Sequence, residues 1–153
     1  MYVLLISSAA CSANLSEIIT RAEQRYEIPK GLLHAIAMVE SKMKPYAVNR
    51  SKKTYHFSTK KEAKEFIEKS IKNGQRNISI GCLQLLYNAH KRNFGNSIDN
   101  MLDPEKNVNY AAKYLKLLYS KTGSWEKAVK RYHSCISSRA SKYYKNVMKI
   151  LNV

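Results

Sequence analysis

Glycine and proline are scarce in this chain, with 5 and 3 among 153 residues, which argues against a linker-rich or disordered polypeptide. No apolar run reaches the roughly 20 residues that a membrane-spanning helix needs. The histidines, His34, His56, His90 and His133, show no ligand-like clustering, so no metal site and no cofactor are expected. Acidic residues are few, 11 against 27 Lys and Arg, and the formal charge is +16. That balance implies a polyanionic neighbour, whether nucleic acid, anionic membrane or cell-wall polymer, and charge alone does not choose among them. No internal repeat or linker divides the chain, and its length suits one domain with a real core.

What is present is helical patterning almost throughout. Leu15, Ile18, Ile19, Ala22 and Tyr26 line one face of a first helix, for which Asn14 and Glu17 read as a capping box. Pro29 sits where a second helix would place its first residue, and that helix reaches Glu40. Residues 42–57 lack the helical period and read as loop, with room for a short β-hairpin. Thr59 and Glu62 cap a Lys-rich helix that stops near Gly74. Residues 78–86 read as a short strand running into a helix to about Phe94. Asp103–Pro104 opens a long helix ending before Gly123, Ser124 caps another, and a last helix runs from about Arg139 to Leu151.

The N-terminal residues 1–13, MYVLLISSAACSA, form an apolar stretch with a small-residue ending and read as a secretory leader. The expected domain is then 14–153, exported to the periplasm or cell envelope and retaining the whole charge. Cys82 and Cys135 remain after such a cleavage, and two readings stay open: one disulfide in an oxidising compartment, or two buried thiols.

One residue breaks the amphipathic pattern. Leu33, Ile36, Ala37 and Glu40 follow the i, i+3, i+4, i+7 spacing of one helix face, so a carboxylate continues the apolar stripe. Burial there is costly unless the group is neutral or partnered. Its place near a helix C-terminus also disfavours negative charge. Both effects raise its pKa, which is what a general acid working near neutral pH requires.

The surrounding segments resemble those of the SLT-type lytic transglycosylases of the lysozyme-like superfamily. VESKMKPYAVN (39–49) is similar to the family's catalytic segment at Glu40, Ser41, Pro45, Ala47 and Asn49. IGCLQL (80–85) matches its Gly-x-x-Gln at Gly81 and Gln84, DPEKNVNYAAKYL (103–115) its Pro, Asn and Tyr-Leu pattern, and AVKRYHS (128–134) its Ala-x-x-x-Tyr at Ala128 and Tyr132. The family's usual Asn after that Tyr is His133 here, and the Met before the Gln is Leu83. The insertion between the first two segments resembles the branch that serves secretion and conjugation systems.

The resemblance implies a mainly α, lysozyme-like domain with at most a short β-hairpin beside the cleft. It implies cleavage of the MurNAc-β-1,4-GlcNAc bond in peptidoglycan with formation of 1,6-anhydro-MurNAc. Glu40 would be the single catalytic acid and base. Ser41 would support the acid or the substrate, Gly81 would admit the glycan close to the backbone, Gln84 would bind sugar, Asn107 would brace the cleft, and the Tyr132 hydroxyl would orient Glu40. A Cys82–Cys135 bond would tie the Gln84 segment to the stretch after Tyr132. Expected partners are glycan strands and secretion-system components, with no nucleic acid and a monomeric chain. One carboxylate fits this chemistry, whereas ordinary glycoside hydrolysis uses two; after Glu40 the next acid is Glu62, with Asp99, Asp103 and Glu105 the distant candidates. Three alternatives remain: a water-using muramidase of the same fold, a basic cell-wall or nucleic-acid-binding protein without activity, and a cysteine hydrolase pairing Cys82 with His133 or His90.

Overall fold

A computed structural model describes residues 8–152, with side chains from residue 14 onward. Among the described residues the chain forms helices α1 (Ser8–Arg25), α2 (Leu32–Ser41), α3 (Lys60–Lys72), α4 (Tyr87–His90), α5 (Ile98–Leu102), α6 (Pro104–Thr122), α7 (Trp125–His133) and α8 (Ser137–Leu151). A 3-10 turn over Lys91–Phe94 follows α4. Strands β1 (Ala47–Arg50), β2 (Lys53–His56), β3 (Ile78–Ile80) and β4 (Leu85–Leu86) make one antiparallel sheet in the order β2-β1-β3-β4. The mainly α expectation holds. The expected hairpin is β1–β2, in register Val48 to Tyr55, and β3 extends it by pairing Val48 with Ile80.

Local chemistry explains most boundaries. The Thr59 hydroxyl accepts from the Glu62 amide at 3.2 Å to start α3, and Asp103 Oδ1 accepts from the Lys106 amide at 2.9 Å to start α6 behind Pro104. Ser124 Oγ accepts from the Lys127 amide at 3.3 Å at the head of α7. Two starts differ from expectation. Helix α1 runs through Asn14, so no capping box opens there. Residues 1–7 of the expected leader lie outside the described residues, and 8–13 belong to the first turns of α1.

Helix α2 begins at Leu32 rather than at Pro29, because a different group caps it. The Glu23 carboxylate, 3% exposed, accepts from the amides of Gly31 (3.0 Å), Leu33 (2.9 Å) and His34 (3.2 Å). Those amides are the unsatisfied donors at a helix N-terminus, where the dipole favours an anion. His34 Nδ1 lies 3.3 Å from the same carboxylate, and its Nε2 reaches Ser16 on α1 at 3.1 Å. Despite burial, these partners hold the Glu23 pKa below the usual carboxylate value, and the carboxylate raises that of His34.

The core gathers Leu15, Ile19, Leu33, Ile36, Val48, Ile67, Ile80, Leu83, Met101, Leu102 and Leu115, all essentially inaccessible. Helix α6 packs on α1, α5 and α7, while α2 packs on α1 and α8. The second set of contacts brings the end of α2 against α8. No helix of the described residues is long and apolar enough to cross a membrane.

Candidate active site

Glu40 occupies the last turn of α2, which ends in consecutive left-handed residues, Lys42 (φ 54°) and Met43 (φ 60°). Such backbone costs about 1 kcal/mol per residue for a side chain with a Cβ, and here it turns the chain from the helix into β1. Ser41, 1% exposed, holds this turn: its hydroxyl donates to the Ala37 carbonyl at 3.1 Å and accepts from the Lys44 amide at 3.2 Å. It therefore braces the turn behind Glu40 and does not line the cleft.

A cleft of about 730 Å³ opens in front of Glu40. The hairpin supplies one wall through Asn49, Lys52 and Thr54, and α7 with its following turn supplies the other through Arg131, His133 and Cys135. Gln84, Leu85, His90 and Tyr114 continue its lining. Among the described residues Glu40 is the only carboxylate that lines it. The other acids considered from the sequence are engaged elsewhere: Asp99 with Lys64 at 2.5 Å, Glu105 with Arg21 at 3.7 Å, and Asp103 as the α6 cap.

The Glu40 side chain is 14% exposed, and burial raises its pKa to about 7. The Tyr143 hydroxyl donates to Glu40 Oε1 at 2.7 Å and partly offsets that rise. His133 stacks flat on Tyr143, with centroids 4.2 Å apart and planes 6° from parallel, and its Nδ1 lies 4.0 Å from Glu40 Oε1. Burial first, then the Arg139 charge, pushes the His133 pKa down, so at neutral pH the ring is uncharged and does not stabilise the carboxylate as an ion pair. With a pKa of about 7, Glu40 exchanges its proton near neutral pH, where an ordinary carboxyl group is fully ionised.

The hydroxyl expected from Tyr132 comes instead from Tyr143. The Tyr132 hydroxyl donates to the Leu83 carbonyl at 2.7 Å, because the β3–β4 turn lies nearer to it than the acid does. Tyr132 stays in the cleft wall, its own pKa raised well above the ordinary value by burial and by the Glu40 charge.

Gly81 has φ +83°, but the space beside it is filled from within. A Cβ there would stand 2.3 Å from Asn107 Nδ2, so the missing side chain admits Asn107 rather than a glycan. Asn107 is 1% exposed, not a surface helix residue. Its amide donates to the carbonyls of Ile80 (3.0 Å) and Met101 (2.9 Å), and its Oδ1 accepts from the Leu83 amide (3.1 Å). The turn that carries Gln84 is thereby fastened to α6. Gln84 itself has φ 49°, lines the cleft, and spends its amide nitrogen on Gly81 O (2.9 Å) and Ala47 O (3.2 Å), which leaves its carbonyl oxygen for a ligand.

Cys82 and Cys135 are free thiols, the first buried and the second exposed. Burial pushes the Cys82 thiol up to about 12, which removes it as a nucleophile at neutral pH. The cysteine hydrolase alternative lacks its thiolate.

Sequence reasoning missed Tyr143 and Glu23. Ala140, Tyr143 and Val147 share a buried face of α8, so Tyr143 reads as a core tyrosine until α8 is docked on α2. Glu23 follows Ile19 by four residues on the apolar stripe of α1, the same anomaly that singled out Glu40.

A helical domain with a small sheet, parted by a groove around one protonatable carboxyl group, defines a lysozyme-like glycan-cleaving enzyme. The family model for the transglycosylase SLT domain matches residues 17–150, and the chain belongs to that family. It is a lytic transglycosylase acting on peptidoglycan. No curated protein and no solved structure gave a match.

Proposed function

We propose that the enzyme cleaves the β-1,4 bond between N-acetylmuramic acid and N-acetylglucosamine with Glu40 as its single acid and base. The observation that carries this reading is the cleft with one carboxyl group, buried and raised to about 7. Protonated Glu40 donates its proton to the glycosidic oxygen as the bond to the anomeric carbon breaks, leaving an oxocarbenium-like muramyl unit. The carboxylate so formed then accepts the proton of the muramyl 6-hydroxyl, whose oxygen closes on the anomeric carbon. The product is a 1,6-anhydro ring, Glu40 regains its proton, and no water is consumed. A raised carboxyl pKa serves both halves, since the group donates and accepts near the operating pH.

Around the acid, Tyr143 holds the carboxyl orientation, Gln84 offers an acceptor to sugar, and Asn107 fixes the turn that presents it. Peptidoglycan lies outside the cytoplasm, so the enzyme is read as exported through the leader at 1–13 and active in the periplasm or envelope. The insertion bearing α3 supports assignment to the branch that opens the wall locally for a secretion apparatus.

Digestion of purified peptidoglycan by wild type and Glu40→Gln, with mass analysis of the fragments, tests this. Anhydro-ended muropeptides are expected from the wild type and none from the variant. Reducing ends in their place would make the enzyme a muramidase, and equal release by both chains would remove Glu40 from the mechanism.

A further inference from the structure

The cleft has a branch. A second groove of about 670 Å³ runs between α6, α7 and the start of α8, and it shares Tyr114, Arg131, Ser134 and Cys135 with the cleft. Its lining differs in charge from that of the cleft. Lys121, Lys127, Lys130 and Arg131 all face it, and among the described residues no acid does. Lys130 is partly neutralised by Glu126 at 2.5 Å and sits over the Tyr144 ring at 5.4 Å. Lys121, Lys127 and Arg131 are exposed and have no acidic partner among the described residues. Neutral sugar rings gain nothing from such a concentration of cations, whereas carboxylates do.

In peptidoglycan a muramyl unit carries, through its lactyl ether, a peptide stem with free carboxylates until an amidase removes it. We infer that this basic branch holds the carboxylates of the peptide stem borne by the muramyl unit in the cleft, and so selects strands that still carry stems. The inference rests on the glycan reading given under the proposed function. Lys121 and Lys127 lie beyond the cleft lining, so they act on the stem without touching the reacting sugar. Arg131 lines both spaces and so joins the branch to the cleft.

Binding separates this inference from the catalytic one. In a Glu40→Gln background, which does not turn substrate over, dissociation constants are measured for soluble glycan strands with their stems and for strands stripped by an amidase. The chain is expected to prefer stem-bearing strands. Adding Lys121→Gln and Lys127→Gln should weaken that binding about threefold to tenfold, as two exposed ion pairs of modest strength would. Binding to stripped strands should stay within about twofold, and Lys121→Arg with Lys127→Arg should retain the preference. Equal weakening on both strands would reduce the lysines to general attraction toward the wall and overturn the inference, as would no weakening on either. Failure of the wild type to release anhydro products would count against the catalytic reading alone.

Discussion

Replacing Tyr143 by Phe removes one hydroxyl from the carboxyl group proposed as the acid, Glu40, and should move the pH–rate profile in a defined direction. The Tyr143 hydroxyl donates to Glu40 Oε1 at 2.7 Å, an interaction that favours the ionised carboxylate and opposes burial. A hydrogen bond to a charged group contributes about 1.5–3 kcal/mol. Part of that is recovered, because a side chain 14% exposed can take a water in place of the hydroxyl. The remainder, about 1.4 kcal/mol, corresponds to about one pH unit. Since the acid must be protonated to act, activity falls on the alkaline side as pH rises through the Glu40 pKa of about 7. Without the hydroxyl that pKa rises, so the alkaline limb of kcat/KM should move up by about one pH unit in Tyr143→Phe. Release of soluble fragments from purified peptidoglycan over a pH series measures it. Tyr132→Phe is the control, because that hydroxyl serves the Leu83 carbonyl and its loss should leave the limb in place. An unmoved limb in Tyr143→Phe, or an equal movement in both variants, would refute the assignment of Tyr143 as the orienting group.

Three further outcomes are expected. A carboxyl group raised from 4.5 to about 7 by folding destabilises the fold as pH climbs through that window, at most by about 3 kcal/mol, so Glu40→Gln should unfold at higher temperature than wild type at pH 8 and at nearly the same temperature at pH 4. Thermal scans at both pH values decide this, and a constant difference would contradict the burial. Gly81→Ala sets a Cβ 2.3 Å from Asn107 Nδ2 at a left-handed position, and Asn107→Ala strands the Leu83 amide, so each should cost about 2–4 kcal/mol in urea unfolding. The double variant should cost clearly less than the sum, since the clash disappears with the Asn107 side chain; strict additivity would show the two residues to be independent. Alkylation of the native chain followed by peptide mass mapping should label Cys135 and leave Cys82 unmodified until unfolding, whereas protection of both until reduction would reveal a disulfide.

Two acids on apolar helix stripes show how far a sequence reading carries. Glu23 and Glu40 raise the same question, how a carboxylate is accommodated among buried residues, and periodicity states it for both. The answers are opposite. Glu23 finds three backbone amides and a histidine and stays ionised. Glu40 finds one phenol and a histidine that burial keeps uncharged, and its pKa rises to about 7. No pattern within either helix distinguishes them, because the deciding donors belong to other elements: the start of α2 for Glu23, and α7 with α8 for Glu40.

The chain's own order of residues determined the longer helices and their capped starts at Thr59, Asp103 and Ser124, the apolar faces, the family, and Glu40 as an anomaly on its stripe. These are local properties, legible wherever a side chain bonds its own backbone within a few residues or repeats with a fixed period. Tertiary structure alone decided which tyrosine meets the acid, that Gly81 makes room for Asn107, that two cysteines stay apart, and where the basic branch leaves the cleft. Each of those depends on a distance between residues remote in the chain, such as the 103 positions between Glu40 and Tyr143. Such distances arise from how α8 packs on α2 and α6 on the β3–β4 turn, and the spacing of residues within one segment contains no information about them.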